Sequence, residues 1–146
     1  MYLVLTRNFP PEVGGMQNLM WGLTRSLSKI NMVKVFADYQ KNHEIFDEDI
    51  SFSIERVRGP KLIRKFRKSY LINNFLKNNK NISGIISDHW KSLENINTNI
   101  KKICLIHSKE INHKKGKTHV HDRHRRRHFR PLRPQWSPCA TRRLAA

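Results

Sequence analysis

The chain has 146 residues, enough for one domain, and a formal net charge of +18. It contains no run of about 18 apolar residues, which excludes a membrane-spanning helix, and no basic stretch precedes its first apolar run, MYLVL, which argues against a signal peptide. The two cysteines supply neither a disulfide framework nor a set of metal ligands, so we expect a cytoplasmic protein.

Charge and composition divide the chain into two parts. Residues 1–117 carry 21 basic and 10 acidic side chains and are rich in Lys, Asn and Ile. Residues 118–146 carry 8 Arg and one acid, with no Lys, Asn or Ile. Because Lys, Asn and Ile use AT-rich codons and Arg, Pro and Ala mostly use GC-rich codons, we interpret residues 118–146 as a disordered basic tail of frameshifted or chimeric origin.

The first elements predict a βαβ unit. MYLVLT (1–6) and MVKVFA (32–37) are short apolar runs typical of buried strands. Between them, apolar residues recur at helical spacing and predict one helix face, formed by Met16, Leu19, Met20, Leu23, Leu27 and Ile30. Strand, helix and strand in this order imply a parallel sheet with a right-handed crossover.

The remaining elements extend the same pattern. Residues 38–49 are polar and predict a loop, and ISFSIERV (50–57) alternates as a half-buried strand does. Residues 61–79 predict a helix with five apolar residues on one side: Leu62, Ile63, Phe66, Tyr70 and Leu71. ISGIISD (82–88) and KKICLIH (101–107) predict two further strands. We therefore expect an α/β, Rossmann-like open parallel sheet with helices on both faces, which binds ligands at the carboxyl ends of its strands.

The segment TRNFPPEVGG lies at the end of the first strand and directly before the first helix. Gly14 and Gly15 would allow positive φ and close backbone approach, and a helix N-terminus favours an anion such as phosphate. The alternative is a tight βα turn without a ligand. The segment lacks both the G-x-G-x-x-G and the G-K-[ST] spacing, which disfavours dinucleotide and P-loop sites.

The stretch TRNFPPEVGGMQNLMWGLTRSLSK resembles the opening of the group 1 (family 4) glycosyltransferases, whose first loop runs F-P-P-x-x-G-G into a helix. SDHWKSLENI and KKICLIHSKEIN are similar to later strand ends of the same N-terminal half, so the resemblance covers about residues 1–115. It implies the N-terminal, acceptor-side domain of a GT-B enzyme. Such enzymes transfer a sugar with retention from a nucleotide-sugar donor to a carbohydrate or lipid-linked acceptor, without a metal cofactor.

The resemblance also assigns roles to residues. Gly14 and Gly15 would approach the donor diphosphate, and His107 would match a catalytic histidine near the transferred sugar, although Ser108 stands where the family has glycine. Asp88 and His89 follow a strand and are candidate acceptor contacts, with a turn cap as the alternative for Asp88. Glu110 is a further candidate. Because the donor-binding second domain is lacking, we expect little or no transferase activity from the 146-residue chain.

Basic residues suggest two other partners. Arg64, Lys65, Arg67 and Lys68 could place the second long helix on the anionic inner face of a membrane, or could form a solvated helix face. In the tail, Arg125, Arg126 and Arg127 suggest the alternative function of a nucleic-acid-binding module, although charge alone predicts only nonspecific binding. The tail histidines, His119, His121, His124 and His128, lack a scaffold that could hold a metal. A flavodoxin-like phosphate-binding domain is a third alternative.

The interpretation of the tail makes a prediction about the source DNA. Read in the other two frames beyond residue 117, the DNA should continue with AT-rich codons and an E-x7-E element of the second domain. Sequencing of the source DNA tests this. A native frame with even base composition throughout would contradict it.

Overall fold

The computed structural model describes residues 1–105, which form one parallel five-stranded sheet. The strands are β1 (Tyr2–Leu5), β2 (Val33–Asp38), β3 (Ser53–Val57), β4 (Gly84–Ser87) and β5 (Lys102–Cys104). The helices are α1 (Gly15–Ser28), α2 (His43–Glu48) and α3 (Lys61–Asn78), with one 3₁₀ turn at Trp90–Ser92.

The strand order is β3-β2-β1-β4-β5, so β1 lies at the centre of the sheet. Leu5 at the end of β1 is in register with Phe36 of β2 and with Ser87 of β4. The chain runs outward from β1 through β2 to β3, and then crosses back to place β4 on the other side of β1. The residues that follow β1, β2 and β4 therefore lie side by side at one edge of the sheet.

Helices cover both faces of the sheet, as the sequence predicts. On one face, α1 and α2 pack against a core that contains Val4, Phe9, Met20, Val33, Val35 and Ala37. On the other face, α3 packs against a core that contains Leu3, Leu5, Phe36, Ile72, Ile82, Ile85 and Ile96. The central strands β1 and β2 are buried along most of both faces, which explains why both are mainly apolar.

The prediction that residues 38–49 form a loop is wrong. Residues 38–49 contain α2, a helix of six residues, whose first flanking residue Asn42 has a left-handed backbone (φ 58°). Phe46 of α2 packs edge-on against Trp21 of α1, with ring centroids 5.1 Å apart. A helix of under two turns shows no apolar periodicity, so tertiary packing and not sequence pattern determines it.

The helix faces also differ from the apolar patterns. In α1, Leu19 and the following Ile30 are exposed, whereas Thr24 is buried and its hydroxyl donates to the Met20 carbonyl at 2.6 Å. In α3, four of the five predicted apolar residues are exposed: Leu62, Ile63, Phe66 and Tyr70. The first half of α3 instead turns its polar side chains toward the sheet edge. Among residues 1–105, no helix has the length and apolar character needed to cross a membrane.

The core makes a prediction about stability. Phe36 is fully buried and contacts Phe75 of α3 edge-on at a centroid distance of 5.8 Å. Phe36→Ala should lower the free energy of unfolding by about 3–5 kcal/mol, because it removes packed apolar volume. Phe66→Ala is the matched control at an exposed position and should change that free energy by about 0.5 kcal/mol or less. Urea unfolding followed by circular dichroism measures both, and equal effects would contradict the assigned core.

Candidate functional site

The candidate site lies at the carboxyl edge of the sheet, between β1 and β4. At this point the chain leaves neighbouring strands in opposite directions, toward β2 from β1 and toward β5 from β4. In open α/β sheets such a reversal opens a crevice in which ligands bind. Two segments flank it here, the first loop (residues 7–14) and the Asp88–Trp90 segment.

A carboxylate joins the two strand ends. Asp88 is buried, and its Oδ2 accepts hydrogen bonds from the Thr6 hydroxyl at 2.7 Å and from the Arg7 backbone N–H at 3.0 Å. The Thr6 oxygen in turn accepts from the Asn8 backbone N–H at 3.2 Å. Asp88 thus fixes the direction in which the first loop leaves β1. Its other oxygen, Oδ1, is buried and accepts no hydrogen bond from the described residues.

A buried ion pair extends this network to α3. The Lys68 ammonium donates to the Asp38 carboxylate at the end of β2 and to the Thr6 carbonyl at 2.8 Å. Arg64 Nε lies 3.0 Å from the second Asp38 oxygen. Burial lowers the pKa of Lys68 below its usual value of 10.5, against the opposing effect of the Asp38 charge. We call Thr6, Asp38, Lys68 and Asp88 the strand-end cluster.

The base of the first loop is anchored to β3. Arg56 of β3 is buried; its Nη2 donates to the Pro10 carbonyl at 2.5 Å and to Asp47 Oδ1 at 2.7 Å, and its Nε donates to Asp47 Oδ2 at 2.8 Å. The two bonds to Asp47 form a fork, which holds the guanidinium plane fixed. Within the loop, the side chain of Phe9 is fully buried and packs edge-on against Trp21 of α1. The loop therefore has a rigid base.

The tip of the first loop is open to solvent. Val13 is 89% exposed, and the Glu12 carboxylate accepts a hydrogen bond from Gln40 at 3.0 Å. Gly14 precedes α1 with an extended backbone (φ −179°), and Gly15 is the first residue of the helix. Neither glycine has a positive φ, so the positive-φ reason for their presence is wrong.

The two glycines differ in the space around them. A Cβ at Gly14 would lie 2.4 Å from the flexible end of Gln17, whereas a Cβ at Gly15 would meet nothing within 4 Å. The N-terminus of α1 has no side-chain cap and no acidic residue in its first turn. Its backbone N–H groups therefore carry the partial positive charge of a helix start without a neutralising side chain.

The structure brings some of the predicted site residues together. Gly14, Gly15, Asp88 and His89 all lie at the carboxyl edge. Asp88 bonds back to β1 and does not cap the following turn; that role belongs to His89, whose Nδ1 accepts from the Lys91 N–H at 3.0 Å. His107 and Glu110 lie outside the described residues.

The four basic residues of α3 that the sequence predicts as membrane contacts divide between two environments. Lys68 is buried in the strand-end cluster, Arg64 pairs with Asp38, and Lys65 pairs with Glu94. Arg67 alone of the four is exposed. The structure therefore does not present Lys68 to a lipid surface, because its ammonium group is committed to the sheet edge.

Three residues that hold the candidate site together were missed by sequence reasoning: Thr6, Asp38 and Arg56. Asp38 had a usable signal, since it is the first acidic residue after an apolar strand, as Asp88 is. Arg56 had none, because its buried fork depends on Asp47 in the unpredicted helix α2.

Within residues 1–105, no group of three or more His, Cys, Asp or Glu side chains is arranged to hold a metal ion. A comparison with models of known protein families and with curated proteins found no match.

The strand-end cluster makes a prediction about stability. Asp38→Asn should lower the free energy of unfolding by about 3–5 kcal/mol, because it leaves the buried Lys68 charge without its carboxylate. Glu44→Gln breaks a solvent-exposed pair with Arg58 and should cost about 0.5 kcal/mol or less. Chemical unfolding at neutral pH compares the two variants, and a loss at Asp38 no larger than that at Glu44 would contradict the assigned pair.

Proposed function

We propose that residues 1–117 form the acceptor-side N-terminal domain of a retaining glycosyltransferase that uses a nucleotide-sugar donor and a carbohydrate or lipid-linked acceptor. The observation that supports this most is the glycine pair at the open tip of an anchored loop, beside the strand reversal at β1 and β4. The F-P-P-x-x-G-G resemblance assigns the same loop to the donor diphosphate.

The glycines need an explanation beyond the fold itself. Gly15 has neither a left-handed backbone nor a close neighbour, so a larger side chain would fit without strain in the free protein. A diphosphate oxygen that bonds the backbone N–H groups at the start of α1 would use the space that a Cβ fills. A ligand therefore accounts for glycine at this position, where local conformation does not.

The chemistry follows from where charge develops. In sugar transfer from a nucleotide-sugar, negative charge grows on the diphosphate leaving group. A fixed helix N-terminus stabilises that charge without reorganising, because its N–H groups already point at the site. Arg56 and Asp88 contribute indirectly, since they hold the base of the first loop and its direction.

The acceptor side is assigned to the segment after β4. His89 is half-buried, and its ring lies beside Trp90 with centroids 5.9 Å apart. Aromatic rings and polar groups at a crevice edge suit sugar hydroxyls and ring faces. The catalytic role of His107 stays a prediction, as does the nucleic-acid-binding alternative, because both depend on residues outside 1–105.

A diphosphate-binding experiment tests the proposal. The full chain should bind UDP or GDP weakly, measured by line broadening of the ³¹P signals, since the resemblance places most donor contacts in a second domain. Gly15→Val should weaken this binding by about tenfold, because its side chain blocks approach to the N–H groups. The melting temperature should stay unchanged.

Gly22→Val is the matched control. Gly22 lies in the same helix, and a Cβ there also meets nothing within 4 Å, so this variant should bind as the wild type does. Every variant retains the basic tail, which contributes an equal background of anion binding. Equal affinities of the Gly15 and Gly22 variants would show that the diphosphate does not bind at the first loop, and would overturn the assignment.

A further inference from the structure

The first half of α3 exposes large apolar side chains to solvent. Their exposed fractions are 78% for Leu62, 62% for Ile63, 64% for Phe66 and 71% for Tyr70. At 3.6 residues per turn, these four positions fall within about one third of the helix circumference. We call them the outer face of α3. Contiguous exposed apolar side chains of this kind mark an interaction surface.

The charge around the outer face is of one sign. No acidic residue occurs between Gly59 and Ser87. Three cations of α3 form ion pairs that neutralise them: Arg64 and Lys68 pair with Asp38, and Lys65 pairs with Glu94. The exposed cations that remain on α3 are Lys61, Arg67 and Lys77, and they border the apolar residues without a carboxylate between them.

We propose that the outer face of α3 docks on an anionic lipid surface. The helix lies in the plane of the interface, with Leu62, Ile63 and Phe66 inserted at the boundary of headgroups and acyl chains. Lys61, Arg67 and Lys77 contact the anionic headgroups. The sequence predicted a membrane contact through Arg64, Lys65, Arg67 and Lys68. Of these four residues, Arg67 is the one that is exposed in the structure.

A groove beside the outer face supports this assignment. It has a volume of about 330 Å³ and is lined by Tyr70, Asn73, Leu76, Lys77, Asn97 and Thr98. The Lys77 ammonium and the Asn97 amide are donors for phosphate oxygens, and Leu76 and Tyr70 supply apolar contact. These are the kinds of groups that a phospholipid headgroup and the first part of its chains would contact.

Charge also argues against the other occupants. If a second copy of the chain packed through the same face, the cations Lys61, Arg67 and Lys77 of the two copies would come close together and repel one another. Residues 118–146 carry eight Arg and one acid, so they too would be repelled. An anionic lipid surface complements both the apolar and the basic parts of the face.

Docking of the outer face is independent of the transferase function, because it depends on α3 and the groove beside it and not on the carboxyl edge. It is tested by cosedimentation of the full chain with vesicles of phosphatidylcholine, with and without about one third phosphatidylglycerol. The double variant Ile63→Ser, Phe66→Ser should lower the partition coefficient on anionic vesicles by about tenfold. Arg67→Glu should lower it by about tenfold on anionic vesicles and leave the weak binding to phosphatidylcholine unchanged.

Matched controls separate this face from general hydrophobicity and from the basic tail. Ile30→Ser, Ile45→Ser removes two comparably exposed apolar side chains elsewhere, and Arg25→Glu reverses an exposed charge on α1, which packs on the opposite face of the sheet. Both should bind within about twofold of the wild type. If the α3 variants and the controls bind equally, the tail carries the affinity and the proposal is overturned.

Analytical ultracentrifugation completes the test. A wild-type dimer that Ile63→Ser, Phe66→Ser converts to a monomer, with vesicle binding unchanged, would assign the outer face to a second copy and overturn the lipid proposal. Because all the substituted side chains are exposed, unchanged melting curves should accompany every variant.

Discussion

The ion pair between Lys68 and Asp38 is the interaction on which the carboxyl edge depends. Both side chains are buried, and a buried charge is stable only when it is paired and its remaining hydrogen-bonding positions are filled. The Thr6 carbonyl and Arg64 complete the pair. Through these contacts one lysine of α3 holds the ends of β1 and β2, and the Thr6 hydroxyl carries the connection to Asp88 at β4.

This pair also determines the rotation of α3 about its axis. When Lys68 faces the sheet edge, Arg64 and Lys65, four and three residues before it, must face inward as well. The opposite side of the helix then faces solvent, and it carries Leu62, Ile63, Phe66 and Tyr70. Further along the same helix Ile72 and Phe75, four and seven residues after Lys68, lie on the same inward side and reach the apolar core.

The sequence predicted the parts of the fold that apolar pattern controls. The five strands and the two long helices follow from short apolar runs and helical spacing, and the parallel arrangement follows from the βαβ order. Short α2 was missed because six residues carry no periodicity. The orientation of α3 was missed because pattern rules place charges outward, and the carboxylate that draws Lys68 inward is thirty residues away in the chain.

The same division holds for the candidate site. Asp88 and His89 were placed at the carboxyl edge because they directly follow a strand, and Gly14 and Gly15 because they end the loop that joins the first strand to the first helix. Both positions are visible in the sequence. The Asp88 carboxylate accepts a hydrogen bond from the Arg7 N–H just after β1, and Arg56 of β3 donates one to the Pro10 carbonyl in the first loop. Neither contact has a sequence signal, since each joins residues that only the strand order brings together.

The candidate site and the outer face of α3 meet at one place in the fold. α3 begins four residues after β3, so its first turns stand beside the strand ends that flank the first loop. If α3 lies on a lipid surface, the carboxyl edge is held close to that surface, and an acceptor carried in the membrane needs to travel only a short distance to reach it. The inward turn of Lys68 thus has two consequences. It fixes the edge where a ligand would bind, and it frees the apolar residues that would bring that edge to a membrane.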